Sequence, residues 1–589
     1  MNNTRLTAAA LVCAVFILAM APTDTLAKNG KNTPYEIWGS DQSNSVPGKN
    51  VGTDGSFIWI WSSVDMERQI HNGATARPMG CDPANTPGAG PCDLKEVFPA
   101  NLIQHDGDAP TGSTLGDLPL FGKLHGMLPD PQNLYMNVNS FVAGGGYVGI
   151  MDGRTKEAVA LFRVTQVEAG AQRSVHMSFW NGDGSALLVA NLHGKILERI
   201  DVTRDASGNI TRAVLNRAAS LGVGKEQVII EPATAFIGNN AHGNALLSEV
   251  GGDYNDDAFG NLTPGGFCQE NGCSDGPDYS GGGRPNNVIV CPIVSDFDNS
   301  DITTGGGGLL VADTSTEPMS IVGEYSKAEV NGAGCGGIQV GDNMWLNAGA
   351  SASGAGLTQS TFTMYAFDDS VFELGVQSPG FPAPNLVFKD PGNTATLGNE
   401  INNPAAPATN NTGQLPGIST RRDAHGAART LSGNFIHSAE RIQNIVEVFS
   451  TADGNMQRVW TYDLTSKNGN GTGGDGPCAA LGVADDPALP ANDPAPDLMD
   501  TTPDGKYMVV ALRGPVPASV LHAAQGSCPG VGIIRLLENG MRGKLVTVLR
   551  SAHQVPTVQS STAVGGHNYT GAERSDVHGA SVRTRVEDQ

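Results

Sequence analysis

Histidine is scarce in this chain, twelve residues in 589, and several of the twelve share one setting. Residues 421–429 read RRDAHGAAR and residues 574–583 read RSDVHGASVR, so Arg-x-Asp-x-His-Gly-Ala occurs twice, around His425 and His578. His125 in GKLHGM and His176 in SVHMS occupy shorter versions of the same context, and Asp497 and Asp500 in DLMDTTPDGKY stand where the others carry histidine. Imidazole is the usual nitrogen donor for copper, zinc and iron, and ligands gathered from separate strands make a rigid site. The pattern therefore marks His125, His176, His425 and His578 as candidate metal ligands, with Asp500 as a further ligand or an acid/base group and Arg513 beside it in catalysis. Asp423 and Asp576, each two residues before a candidate ligand, together with Asp497, suit the supporting role of accepting the second ring N–H and fixing its tautomer. For any one of these histidines a simpler account stands alongside: a hydrogen-bonded ring at a strand start, with glycine relieving crowding. Recurrence is what argues for a shared site. Arg421 and Arg574 read more simply as salt-bridge partners of neighbouring aspartates.

Such residues can meet only if the elements that carry them are themselves repeated. Residues 185–202, SALLVANLHGKILERIDV, form two apolar strands around a tight turn; residues 433–450, GNFIHSAERIQNIVEVFS, repeat the plan, and residues 505–536 repeat it with an inserted loop. Residues 133–152, 309–325 and 343–368 are looser copies. Short β-branched runs between glycine-rich turns, with 77 glycines and 16% charged residues, indicate an all-β chain. Residues 35–46, YEIWGSDQSNSV, read as a middle hairpin lacking its first strand, and residues 576–585, DVHGASVRTR, as a first strand lacking its hairpin. Together they complete one unit. The expected fold is a seven-bladed β-propeller closed by N- and C-terminal strands, its blades opening near His125, His176, Asn287, Gly334, His425, Asp497 and His578. Long insertions are expected at about 66–120, 203–283, 370–420 and 465–495. Inner-strand starts converge on the mouth of the central channel, and His193, His437, Arg441, Arg513 and His522 are expected around the rim.

The hairpins YEIWGSDQSNSV, ALLVANLHGKILERIDV and FIHSAERIQNIVEVF resemble the repeats of the seven-bladed YVTN, surface-layer and lactonase-like propellers. The resemblance covers most of the chain after residue 27 and implies a fold, while propellers host many unrelated activities. In plan, the expected histidine ring is similar to that of the copper propellers, nitrous oxide reductase and thiocyanate dehydrogenase. Their ligand motifs do not align here, there is no paired His-His segment, and no electron-transfer copper motif follows residue 585.

The compartment is read from the first residues. One basic charge before Leu6, an apolar run to Pro22 and Thr25-Leu26-Ala27 look like a cleaved signal peptide over residues 1–27, leaving 28–589 as one propeller domain exported to the periplasm or beyond. No later run is long and apolar enough to cross a membrane. Discounting Cys13, the even set of eight reads as disulfides: Cys81 with Cys92, Cys268 with Cys273, and then Cys291 with Cys335 and Cys478 with Cys528, metal ligation by Cys291 or Cys335 being the alternative. A net charge of −23 without clustered basic residues argues against nucleic acid. Serine-hydrolase elbow, zincin helix, phosphate-binding loop and c-type haem motifs are missing. Three readings of function remain. The first is a metal-binding propeller, copper favoured, acting as an oxidoreductase on a small molecule. The second is a non-enzymatic surface or periplasmic scaffold for an envelope partner. The third is a lactonase-like hydrolase using one calcium in the channel, ranked last because the expected axis is rich in imidazole and not in carboxylates; the acidic loop at 251–283 could hold calcium but reads more simply as solvated turns.

Overall fold

The computed structural model describes residues 33–42, 55–81, 90–98, 121–142, 145–165, 173–191, 196–222, 228–230, 235–237, 289–293, 301–305, 308–325, 337–348, 362–368, 384–390, 424–441, 444–465, 476–478, 494–514, 526, 528–551, 554–560, 568–572 and 575–588. Strands dominate them. Six sheets have four strands, one has three, and two are two-stranded ribbons. Every pairing is antiparallel, and within a sheet the strands follow chain order, as in the run Ala424–Arg429, Phe435–Glu440, Ile445–Ser450 and Gln457–Asp463. The sheets open at or beside the positions expected from the repeat, with Val175–Trp180, Ile289–Ile293, Gly337–Val340, Ala424–Arg429, Pro496–Thr501 and Val577–Thr584 as first strands.

The sheet built from both chain ends is the exception to chain order. Tyr35–Asp41 pairs on one side with Phe57–Ser62 and on the other with Val577–Thr584, Ile37 facing Val582 and Gly39 facing Ala580. In the three-stranded sheet the segment before Tyr135–Ser140 takes the place of an inner strand, through isolated bridges of Leu124 to Ser140 and Pro129 to Met136.

Alternating side chains put apolar residues on both faces of each sheet, and the cores lie between sheets. Ile37, Trp61, Val509, Ile533 and Val582 pack the two-ended sheet against the sheet of Tyr507–Leu512. Trp38, Ile60, Met136 and Leu161 pack its other face against the three-stranded sheet. Tyr135, Val148, Leu187 and Val189 fill the next gap. Ala439, Val446, Met508 and Val510 fill another, and Trp345, Met364, Ile436 and Phe449 a fifth. Face-to-face burial of successive sheets is the packing of an all-β propeller.

Regular elements occupy parts of the segments expected as insertions. Residues 63–72 form a helix, Ser63–Asn72, started by the Ser62 hydroxyl accepting from Asp65 N and ended at Gly73, whose φ of 68° suits glycine. In the segment 203–283 an Asp-Ala-Ser-Gly-Asn turn at 205–209 returns the chain as the outer strand Ile210–Gly222. Asn385–Asp390 is likewise an outer strand inside the segment expected to be an insertion at 370–420. Disulfides join Cys81 to Cys92 and Cys478 to Cys528, with Cα separations of 4.9 and 5.7 Å. Cys268, Cys273 and Cys335, the side chain of Cys291, the segment 1–27 expected to be a signal peptide and the acidic segment 251–283 lie outside the described residues. No described helix is long and apolar enough to cross a membrane.

Candidate metal centre

Four of the candidate residues, His176, His425, Asp497 and His578, lie at a break in the register of an inner strand. In the sheet opened by Ala424–Arg429, Ala424 pairs with Glu440 and Ala427 with Ser438, so His425 and Gly426 oppose the single residue Ala439. Asp497 and Leu498 oppose Ala511 in the same way, and His176 and Met177 oppose Ala190. His578 lies at the register shift between the pairs Ser40–Gly579 and Asp41–Val577. A β-bulge turns a side chain out of the alternating pattern, and here it recurs at one level of the inner strands. The alanine opposite each two-residue bulge is a signal that the repeat carried and that the sequence reading did not use.

Glycine after histidine has a packing reason. A methyl on Gly426 would meet the backbone of Asp497 and come within 2.5 Å of Leu498 Cα, and one on Gly579 would lie 3.0 Å from Gly126 Cα. Neighbouring inner strands touch there, main chain to main chain. Consequently the imidazoles converge. Ring centroids of His125 and His176 are 3.9 Å apart, those of His125 and His578 3.6 Å, and those of His425 and His578 5.2 Å. Phe141 stands edge-on to His125 and His176. All four histidines expected to be ligands are buried, the most exposed being His425 at 4%.

Among the described residues, His425, Asp497 and His578 form the group whose donor atoms are close enough to share one ion, all within 4.8 Å of one another. His425 Nδ1 is 2.8 Å from Asp497 Oδ1. His578 Nδ1 is 2.8 Å from the carbonyl oxygen of His125, which makes that nitrogen the donor and leaves Nε2 as the bare lone pair. Nε2 makes no hydrogen bond among the described residues and lies 3.7 Å from Asp497 Oδ2. Burial pushes His578 well below the ordinary histidine range; Asp497 opposes this, while Arg513, His425 and Arg441 add to it. Burial would raise Asp497, but His425 and Arg441 outweigh it and hold the carboxylate well below its usual range.

The surrounding charges are paired. Arg513 Nη1 is 2.8 Å from Asp497 Oδ2, Arg441 Nη1 is 3.5 Å from the same oxygen, and Arg513 Nε is 2.7 Å from Asp576 Oδ1. The amide of Asp576 donates to Asp41 Oδ1 at 2.9 Å, and Trp59 Nε1 donates to Asp41 Oδ2 at 3.0 Å.

Several expected roles are therefore reassigned. Asp497 is not behind a ligand; it faces two of the imidazoles directly. Asp576 does not accept from His578, because the His125 carbonyl takes that proton and Asp576 is held by Arg513. Arg513 and Arg441 are buried and not exposed rim groups. Asp500 is turned away into backbone contacts, accepting from Val582 N at 2.8 Å and Thr501 N at 2.7 Å, and burial lifts it to about 6. His437 is a core residue: its side chain bridges the Tyr462 hydroxyl at 2.9 Å and the Gly540 carbonyl at 2.7 Å, because inward-facing strand residues alternate with channel-facing ones. Asp423, His193 and His522 lie outside the described residues.

No protein-family profile matches the chain, and no curated protein matches its sequence. Solved structures similar to it include a hypothetical selenium-binding protein from Sulfolobus tokodaii, 10% identical over 94% of each chain with a TM-score of 0.44. A Lactobacillus plantarum protein is 10% identical over 88% of this chain and 97% of its own, with a TM-score of 0.42. The periplasmic gluconolactonase of Pseudomonas aeruginosa is 10% identical over 91% and 98%, with a TM-score of 0.38.

Proposed function

We propose that this is an exported metalloprotein whose axial cluster binds one transition-metal ion through His425, Asp497 and His578, copper before iron or zinc, for oxidoreductase chemistry on a small molecule. One observation carries the reading: the bare Nε2 lone pair of His578 faces the Asp497 carboxylate at 3.7 Å inside a buried site. Arg513 and Arg441 already neutralise the Asp497 carboxylate, but the buried Nε2 of His578 has no hydrogen bond of its own among the described residues, and a cation bound between the two imidazoles and the carboxylate would satisfy it. Metal bonds of roughly 2.0–2.1 Å, set at tetrahedral or square angles, put neighbouring donor atoms roughly 2.9–3.4 Å apart. Asp497 Oδ1 lies 2.8 Å from His425 Nδ1, close to that range, and one donor atom from each of the three residues falls within 4.8 Å of the others.

Two imidazoles and one carboxylate suit copper, zinc or iron, and with one carboxylate in the set calcium is poorly served. Such an ion, when bound, polarises or oxidises what reaches it. The chain's own residues would prepare the place. The His125 carbonyl holds His578 in the binding tautomer, the packed rings of His125, His176 and Phe141 exclude water, and Arg441 and Arg513 keep Asp497 ionised. Export is supported by the leader-like first 27 residues and by the two disulfides.

The test is metal analysis of purified protein loaded with copper. The parent chain is expected to hold one ion, and the H425A/H578A variant none. An unchanged stoichiometry in the folded double variant overturns the reading. A parent chain that takes up no metal would favour the second reading, a binding platform in which the Asp497–Arg513–Asp576 network only joins sheets.

A further inference from the structure

We propose that Arg513 positions Asp497 for the axial ion, holding one carboxylate oxygen so that the other is presented; this rests on the metal-binding reading above. Arg513 is fully buried and directly follows the strand Tyr507–Leu512. Its guanidinium engages two carboxylates at once. Nε and Nη2 donate to Oδ1 and Oδ2 of Asp576 at 2.7 and 2.8 Å, and Nη1 donates to Asp497 Oδ2 at 2.8 Å.

The Asp576 end of this bridge is fixed independently. Its amide donates to Asp41 Oδ1 at 2.9 Å, its carbonyl accepts from Gln42 N at 2.8 Å, and its Oδ1 accepts from Gly514 N at 3.3 Å. A planar fork anchored on one carboxylate sets the rotation of the other. Asp497 Oδ2 is accordingly turned toward Arg513, and Oδ1 toward His425 Nδ1 at 2.8 Å. A carboxylate free to turn can chelate a cation with both oxygens or swing away from it. Held at Oδ2, Asp497 offers Oδ1 as a single ligand oxygen beside His425 Nδ1. Partners of this kind, one bond behind a ligand, typically change metal affinity by about 10–100-fold when removed. Lysine keeps the charge but cannot span two carboxylates in one plane. Arg513 is thus a positioning residue and touches no substrate.

The experiment uses the full chain and copper(II) as the probe. Affinity is measured by competition with a chromophoric chelator, geometry by electron paramagnetic resonance, and folding by thermal melts, for the parent, R513K and R513Q/D576N. The double variant removes one charge of each sign, so no new buried net charge is left. It is expected to melt cooperatively, to bind one copper per chain about 10–100-fold more weakly, and to show an altered copper spectrum. R513K is expected to show the same altered spectrum. A folded double variant with the parent's affinity and spectrum overturns the positioning role. Should the double variant fail to fold, R513K decides on the same two readouts, and parent-like values there overturn it equally. A parent chain that binds no copper defeats the metal reading itself, an outcome none of the variant results can mimic.

Discussion

The glycines that follow His425 and His578 leave no room for a side chain. Gly426 packs against the backbone of Asp497 and Leu498, which has no side-chain end to yield, whereas Gly182 has nothing within 4 Å of an added methyl. G426A is therefore expected to destabilise the protein by about 3 kcal/mol and to weaken metal binding by moving His425, while G182A stays within about 0.5 kcal/mol. Urea midpoints of the two variants check this, and similar midpoints would sink it. The His-Gly pairs at 125, 425 and 578 were legible in sequence because recurrence flagged them. What sequence could not supply was direction. Asp497 was distinguishable from Asp500 only by the bulge, which sends Asp497 to the axis and leaves Asp500 bonding Val582 N and Thr501 N.

At the scale of one element, the strand Phe435–Glu440 shows why spacing alone misplaces a histidine. His437 repeats in sequence like a rim residue, yet the two-residue period turns it into the gap between sheets, where Tyr462 and Gly540 take both ring nitrogens. Burial lowers it from 6.5 to about 4, the Gly540 carbonyl working in the other direction. A ring kept neutral in the fold but protonated in the unfolded chain stabilises fully above pH 6.5, and that contribution is lost as pH falls toward 4. The loss is roughly 3 kcal/mol, since each pH unit separating the folded and unfolded pKa is worth about 1.4 kcal/mol. Asp463, raised by burial to about 6 despite its bonds from Thr465, works with the opposite sign over much of the same range. Parent stability should therefore be compared with that of H437Q, since Asp463 cancels in the difference. Denaturation of both at pH 7 and pH 4 is expected to show the parent losing about 3 kcal/mol more than H437Q; parallel losses would contradict the burial of a neutral ring.

For the whole molecule, the decisive contact is between the two ends of the described chain. The sequence disclosed the incomplete hairpin at 35–46 and the lone strand at 576–585, and register confirms that they pair. It gave no hint of what binds that sheet to the next. Glu36 supplies it: Lys156 Nζ lies 2.8 Å from its carboxylate, Arg583 Nη1 3.0 Å, and Trp38 Nε1 donates to it at 3.1 Å, with Lys156 also over the Trp38 ring. These three charges come from the first strand, the turn of the three-stranded sheet and the last strand, and all are nearly inaccessible to water. Removing one partner of such a group leaves buried charge uncompensated, at a cost of about 3–5 kcal/mol. E36Q leaves buried Lys156 without its carboxylate, whereas Arg583 keeps Glu587 at 2.7 Å, and is expected to lower stability by about 3 kcal/mol. R583M leaves the Lys156–Glu36 pair intact and should cost less. The same strand carries His578, so its loosening in E36Q should also lower copper affinity, while R585Q, at a partly exposed position beyond the strand, should leave it unchanged. Stability and copper titration of these variants test the coupling, and an E36Q protein that loses stability but keeps full affinity would show that the axial cluster is held in place without the last strand's outer anchors.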